Sequence, residues 1–264
     1  MVISKKNEES LLRFVTLGSV DDGKSTLLGR LLYDSDSIPV DIKVKLENSI
    51  LNKEDGVPDF SLLTDGLLAE REQKITIDVA HVYFRTKKRV YIVYDSPGHE
   101  QYTRNMATAA SNADVALLIV DARKGISRQT RRHAFIASLL GIKKISLIIN
   151  KMDAVNYCEA TFLEIVKSFR AITEKLEFMD VKEFPISALY GDNVVHDSKN
   201  MPWYSGGTLL HHLDNEYIGS SYNKLDFRYP VQYVVRPNQD YRGFAGKISS
   251  GRVKVGDSVV VLPS

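Results

Sequence analysis

Cysteine is nearly absent from this chain: Cys158 stands alone in 264 residues, which excludes an internal disulfide framework and suits a reducing compartment. Charge of one sign is not in excess either. Lysine and arginine number 35 against 33 aspartates and glutamates, a formal net charge of +2, so no overall basic field argues for nucleic acid and only a local patch would. No apolar run approaches the ~20 residues that a membrane-crossing helix needs. Met1 to Ser10 is polar and lysine-rich, so no secretory signal is expected. Repeats and low-complexity tracts are missing as well. These absences lead us to expect a soluble, cytoplasmic protein without a membrane or nucleic-acid partner. With 44% apolar and 26% charged residues, the chain has core enough for one large domain or two smaller ones.

What is present begins with Gly18-Ser19-Val20-Asp21-Asp22-Gly23-Lys24-Ser25, which fits G-x-x-x-x-G-K-[ST] at every constrained position. Phe14–Leu17 before it is short, apolar and partly β-branched, as a buried strand is. Leu27, Leu28, Leu31 and Leu32 after it recur at helical spacing. Gly18 and Gly23 let the backbone curl so that successive N–H groups point inward, and the positive end of the following helix faces the same space. Lys24 is expected at the β- and γ-phosphates and the Ser25 hydroxyl at Mg²⁺, with Thr26 completing the candidate phosphate site. A nucleoside triphosphate is the expected ligand.

The rest of the chain alternates strands and helices. Tyr33 to Leu63 is polar and weakly patterned, and a long irregular insert inside a compact domain is usually functional. Val79–Phe84 and Arg89–Asp95 read as strands joined by a turn at Thr86-Lys87-Lys88. Val115–Val120 and Ile145–Ile149 are continuous apolar runs, as strands buried on both faces are. Gln129–Leu140 and Glu159–Lys175 read as helices, the first ended by Gly141, and Glu183–Ile186 as a further strand. This order predicts an α/β fold with a mainly parallel sheet, occupying residues 1–213. After a linker over 214–226 the texture turns β-rich (Val231–Val235, Ala245–Ile248, Ser258–Leu262). Residues 227–264 are expected to be part of an all-β barrel too short to close, which suggests a fragment.

Three further motifs follow predicted strands. Asp95-Ser96-Pro97-Gly98 offers a carboxylate for the Mg²⁺ shell and, at Gly98, an N–H for a γ-phosphate. Asn150-Lys151-Met152-Asp153 reads N-K-x-D. A carboxylate at Asp153 can accept from guanine N1–H and its exocyclic amine, whereas adenine would leave it unpaired, and such polar mismatch discriminates strongly. Asn150 is expected to hold the loop and the base edge, and the Lys151 stem to lie over the purine. Ser187-Ala188-Leu189 fits the loop whose backbone N–H meets guanine O6. Together the four motifs favour GTP over ATP.

Thr76, within T-D-G-L-L-A-E-R-E-Q-K-I-T-I-D at Thr64–Asp78, and D-S-P-G-H at Asp95–His99 resemble the translation-factor class of GTPases. The resemblance implies that Thr76 caps Mg²⁺ and the γ-phosphate, so that Ser25, Thr76 and Asp95 surround the metal. It also implies that His99 is the catalytic residue, orienting the attacking water. Tighter likeness comes from Ser19 and Asp22 in the first loop and from D-F-S-L-L-T-D-G-L-L-A-E-R-E-Q at Asp59–Gln73. G-H-E-Q-Y-T-R-N-M-A-T at Gly98–Thr108, D-A-R-K-G and Q-T-R-R-H within Asp121–His133, and Y-R-G-F-A-G-K-I-S-S-G-R-V-K-V-G-D at Tyr241–Asp257 add to it. These stretches resemble the large GTPase subunits of bacterial heterodimeric sulfate adenylyltransferases, over about Leu12 to Pro263.

That resemblance implies a GTPase coupled to a separate small catalytic subunit, which makes adenosine 5′-phosphosulfate and diphosphate from ATP and sulfate. The alternatives are an elongation factor delivering aminoacyl-tRNA, which usually carries G-H-V-D-H-G-K in the first loop, and a nucleotide-gated scaffold without turnover. Three positions depart from the family: Lys74 and Ala109 stand where glycine is normal, and Ser96 replaces threonine. If position 74 needs positive φ, lysine there costs on the order of 1 kcal/mol. In a helix, alanine at 109 is favoured over glycine by about 1 kcal/mol.

Overall fold

The computed structural model describes residues 10–38, 60, 80–217 and 226–262. The chain divides into two compact units, Met1–Glu216 and Tyr217–Ser264.

The described residues of the first unit are built on six strands, β1 (Ser10–Leu17), β2 (Ala80–Arg85), β3 (Arg89–Asp95), β4 (Val115–Asp121), β5 (Lys144–Asn150) and β6 (Asp180–Pro185). They lie in the order β2-β3-β1-β4-β5-β6. All ladders are parallel except that between β2 and β3, whose hairpin closes through Thr86 N–H to the Arg89 carbonyl at 2.9 Å. Every residue of β4 is buried. That explains its unbroken apolar run, because a central parallel strand has no solvent face on which to alternate. Among the described residues five helices accompany the sheet: α1 (Lys24–Asp34), α2 (Thr103–Ala110), α3 (Arg128–Leu139), α4 (Glu159–Thr173) and α5 (Leu209–Asn215). Ser127 starts α3 with a capping box, its hydroxyl accepting from Thr130 N–H at 3.1 Å while the Thr130 hydroxyl accepts from Ser127 N–H at 3.2 Å. Gly141 ends α3 at φ +83°, with Ile142 N–H reaching the Ala137 carbonyl at 3.1 Å.

Register matters most for function. Thr16 pairs with Asp95, Leu17 with Leu118, Asp121 with Asn150 and Ile149 with Pro185. The carboxyl ends of β1, β3, β4, β5 and β6 therefore share one edge. The chain winds outward in both directions from β1, so this edge is the topological switch point at which open α/β sheets bind ligands.

Several expected strands need correction, among them Ala245–Ile248, where the strand is Gly243–Ala245 and residues 246–248 are not extended in a ladder, and Val231–Val235, which starts only at Tyr233. The strand placed at Glu183–Ile186 begins three residues earlier, at Asp180, and ends at Pro185. It pairs only with β5, and edge strands carry charges such as Asp180 and Lys182 that hide the pattern. In the second unit β7 (Tyr233–Val235) and β8 (Gly243–Ala245) form an antiparallel pair, but Ser258–Leu262 is not a strand despite its valines. It has no ladder partner among the described residues, and a strand needs one to satisfy its backbone. No described helix is long and apolar enough to cross a membrane.

Candidate functional site

Gly23, at φ 91°, turns the chain from the first loop into α1. Lys24, buried by the loop, curls back so that its Nζ donates to the carbonyls of Gly18 at 3.1 Å and Ser19 at 2.9 Å. Burial lowers the Lys24 pKa, and Asp95, Asp22 and Asp21 oppose that shift. Its ammonium thus sits inside a ring of backbone, where an anion would be welcome. Asp22 closes the loop upon itself: its Oδ2 accepts from Ser19 N–H at 2.7 Å. Burial raises the Asp22 pKa, opposed first by that hydrogen bond and then by Lys24. Ser19 Oγ is buried with no hydrogen-bond partner in the protein.

The loop after β3 lies directly on the first. Thr16 Oγ1 donates to Asp95 Oδ1 at 2.6 Å, and Ser96 Oγ donates to the Thr16 carbonyl at 2.5 Å. The serine hydroxyl that replaces threonine at position 96 therefore still ties β3 to β1. A Cβ on Gly98 would stand 2.4 Å from Lys24 Nζ and 2.9 Å from Val20 N, so only glycine allows this approach. Gln129 Nε2 donates to the Gly98 carbonyl and Arg132 pairs with Glu100 at 3.1 Å, so α3 holds this loop from behind. His99 is exposed and caps the short 3₁₀ turn Glu100–Tyr102, its Nδ1 accepting from Gln101 N–H at 3.4 Å. Ala109 lies buried in α2, as expected of a helical position. Thr76 and Lys74 lie outside the described residues.

The third and fourth motifs interlock with the first. Asn150 Nδ2 donates to the Asp22 carbonyl at 2.9 Å, while its Oδ1 accepts from Lys151 N–H at 2.8 Å and Ala188 N–H at 3.0 Å. Of the 187–189 loop, whose backbone N–H is expected to meet guanine O6, the Ala188 amide is thus directed at Asn150. Asp153 Oδ1 accepts from Ser187 Oγ at 2.5 Å. Met152 is buried and Leu189 is exposed. Lys151 Nζ reaches the Asp21 carbonyl and pairs with Asp121 at 3.0 Å. Its stem therefore bridges the first and third motifs. Burial would raise the Asp121 pKa, but hydrogen bonds from Arg123 and Lys151 outweigh it and hold the carboxyl well below the usual range.

The structure thus brings together residues 18–26, 95–99, 150–153 and 187–189 at one sheet edge. Four contributors had gone unassigned: Thr16, Asp121, Gln129 and Arg30, the last reaching the carbonyls of Leu189 and Tyr190. Asp121 and Gln129 stand in stretches that mark the family resemblance, but nothing local shows which loop each one touches. Ser25, in the first turn of α1, and Asp95, at the end of β3, offer oxygen donors of the kind that a hard cation keeping several waters takes. No cluster of three or more carboxylates, histidines or cysteines exists among the described residues, so a site made wholly of protein ligands is not at hand there.

Comparison with known proteins adds to this geometry. Sulfate adenylyltransferase subunit 1 of Colwellia psychrerythraea is 53% identical over 99% of this chain, which spans 57% of that protein. Its counterpart in Salmonella gallinarum is 54% identical over 98% of the chain and 55% of its own length. Among solved structures, sup35 complexed with GDP is 27% identical with a TM-score of 0.59, covering 97% of this chain and 56% of that one. The GTPase-like domain of S. cerevisiae Ski7, at 24% identity and a TM-score of 0.67, covers 92% and 59% respectively and shows the same fold. The family model of the elongation factor Tu GTP binding domain matches residues 9–218, and the chain belongs to that family of GTP-binding domains.

Proposed function

We propose that this chain is the GTP-hydrolysing part of a sulfate adenylyltransferase, coupled to a small catalytic subunit in the cytoplasm that makes adenosine 5′-phosphosulfate and diphosphate from ATP and sulfate. One observation carries the reading: identity of 53% to sulfate adenylyltransferase subunit 1 runs along 99% of the chain. The 26% shared with a bacterial selenocysteine-specific elongation factor makes an elongation factor the weaker choice.

In this reading Gly18–Thr26 cradle the phosphates and Lys24 turns from the Gly18 and Ser19 carbonyls toward the β- and γ-oxygens. Ser25 and Asp95, with Thr76, hold Mg²⁺, which supplies Lewis-acid stabilisation of phosphate charge when bound. The Gly98 N–H donates to the γ-phosphate and His99 orients the water that attacks it. Gln129 and the Arg132–Glu100 pair fix the backbone that carries both groups. Asp153 accepts from the guanine edge while keeping its Ser187 hydrogen bond, since each carboxylate oxygen has two lone pairs. Lys151, anchored at Asp121, lies over the ring.

A GTPase can drive a reaction on another chain only if GTP and GDP favour different contacts with it. The segment 95–111 meets the γ-phosphate at Gly98 and presents Glu100, Gln101 and Arg104 outward. The full-length protein should therefore bind its catalytic subunit with different affinity in GDP and in a non-hydrolysable GTP analogue, and Arg104→Glu should weaken the tighter state. Equal affinity with both nucleotides, unchanged by the charge reversal, would contradict the coupling.

A further inference from the structure

Arg30 stands in the middle of α1 and makes three kinds of contact. Its Nε donates to Asp34 Oδ2 at 2.8 Å, one helical turn on. Its Nη1 and Nη2 donate to the carbonyls of Leu189 at 3.4 Å and Tyr190 at 3.2 Å. Its guanidinium carbon lies 5.4 Å from the centre of the Phe60 ring, within cation–π range. Phe60 is 1% exposed and packs edge-on against Tyr33 of the same helix at 5.8 Å. Its backbone lies so close to α1 that a Cβ on Gly29 would stand 2.5 Å from the Phe60 carbonyl oxygen. At Gly191, φ is +86° and a Cβ would meet Arg30 Nη2 at 2.4 Å. Both sides of the guanidinium are thus shaped around it.

The Leu189 and Tyr190 carbonyls belong to the turn that follows Ser187 and Ala188, and Ser187 in turn holds Asp153. The start of the turn is held by Asn150 and Asp153, and within it Gly191 N–H donates to the Ser187 carbonyl at 2.7 Å, while Arg30 holds its far side at the Leu189 and Tyr190 carbonyls. Arginine suits the task because its planar fork carries several donors in fixed directions at once, where lysine offers a single point charge. We propose that Arg30 is a positioning residue for guanine recognition, which fixes the 187–191 turn from α1 and is itself held in place by Phe60. The inference rests on the GTP-binding reading above and is tested without any activity of the partner subunit.

The test uses the full-length protein, with Arg30→Met, Arg30→Lys and Gly191→Ala compared with wild type. Dissociation of fluorescent GDP should quicken about tenfold in Arg30→Met and Gly191→Ala, as loss of two or three charged hydrogen bonds implies. Arg30→Lys should restore only part of it. The preference for GDP over 2-aminopurine riboside diphosphate, which lacks O6, should fall in step, while the preference for GDP over GMP stays as in wild type. In the GDP complex of Arg30→Met, amide exchange should quicken in peptides covering 187–191 and Phe60 and not in those covering β4. Wild-type dissociation rates in Arg30→Met would overturn the proposal. So would an equal loss of phosphate preference, or exchange quickened throughout the sheet, either of which would make Arg30 a general stabilising residue. A wild-type protein that fails to bind GDP at all would instead overturn the GTP-binding reading itself.

Discussion

Asn150 and Asp22, 128 positions apart in the chain, are joined by a hydrogen bond of 2.9 Å from the amide nitrogen to the backbone carbonyl. The 18–25 loop and the 150–153 loop, proposed to hold the phosphates and the base, are therefore joined into one object. Asn150→Ala would leave the Asp22 carbonyl and the Ala188 N–H without these partners, each loss costing about 1–3 kcal/mol. We expect a lowered unfolding midpoint together with a GDP affinity reduced at least about tenfold. Calorimetric titration and thermal unfolding of the same variant would check both, and a loss of stability alone would mean that the two loops act separately.

Base choice should rest on Asp153. Asp153→Asn places an amide where guanine offers donors, but an amide can donate to the extra carbonyl of xanthine. The variant should lose GTP affinity and gain xanthosine triphosphate affinity, read by competition titration. An unchanged preference would place the base elsewhere. Because Ser187 Oγ donates to Asp153 Oδ1 at 2.5 Å, Ser187→Ala should shift the same preference more weakly.

His99 is exposed and spends Nδ1 on the Gln101 amide, so its removal should spare the loop's core. His99→Ala should lower single-turnover GTP hydrolysis by roughly 10²–10⁴, the range for a lost positioning or acid–base group. GTP affinity should remain within a few-fold. Parallel losses in both quantities would make His99 a structural cap.

Acid should destabilise the first unit through His133. This residue is 2% exposed on α3 and its Nδ1 has no hydrogen-bond partner. Burial, then the charges of Lys24 and Arg132, push its pKa down to about 4. The unfolded chain binds this proton near the ordinary value of about 6.5, so stability is full above that pH, falls between there and about 4, and is level below. The loss from this group amounts to at most roughly 3 kcal/mol. Urea unfolding at pH 7 and pH 5 should show a smaller difference for His133→Phe than for wild type, and equal differences would contradict the assignment.

The parts legible in the sequence are those whose chemistry is contiguous. The loop at 18–25 announces itself because glycine, lysine and serine must follow one another closely, and β4 and β5 because burial on both faces leaves an unbroken apolar run. What escaped depends on register or on distant partners. Thr16 meets Asp95 only because β1 and β3 pair in that register. Arg30 meets the Leu189 and Tyr190 carbonyls about 160 positions away. The start of β6 was hidden because Asp180 and Lys182 are ordinary on a sheet edge. Ser258–Leu262 looked like a strand because β-branched content measures fit to a pleated surface, and no such neighbour exists among the described residues.

In the function proposed above, GTP hydrolysis at this site drives an uphill adenylyl transfer on a partner. Its most direct measurement is the amount of adenosine 5′-phosphosulfate formed from ATP and sulfate by the full-length protein with its catalytic subunit. GTP, GDP and a non-hydrolysable GTP analogue would be compared in parallel. We predict that only GTP carries the product above the level set by the uncoupled equilibrium, with phosphate released from GTP in step with it. The same level of product with all three nucleotides, or GTP consumed without any rise in product, would contradict the account.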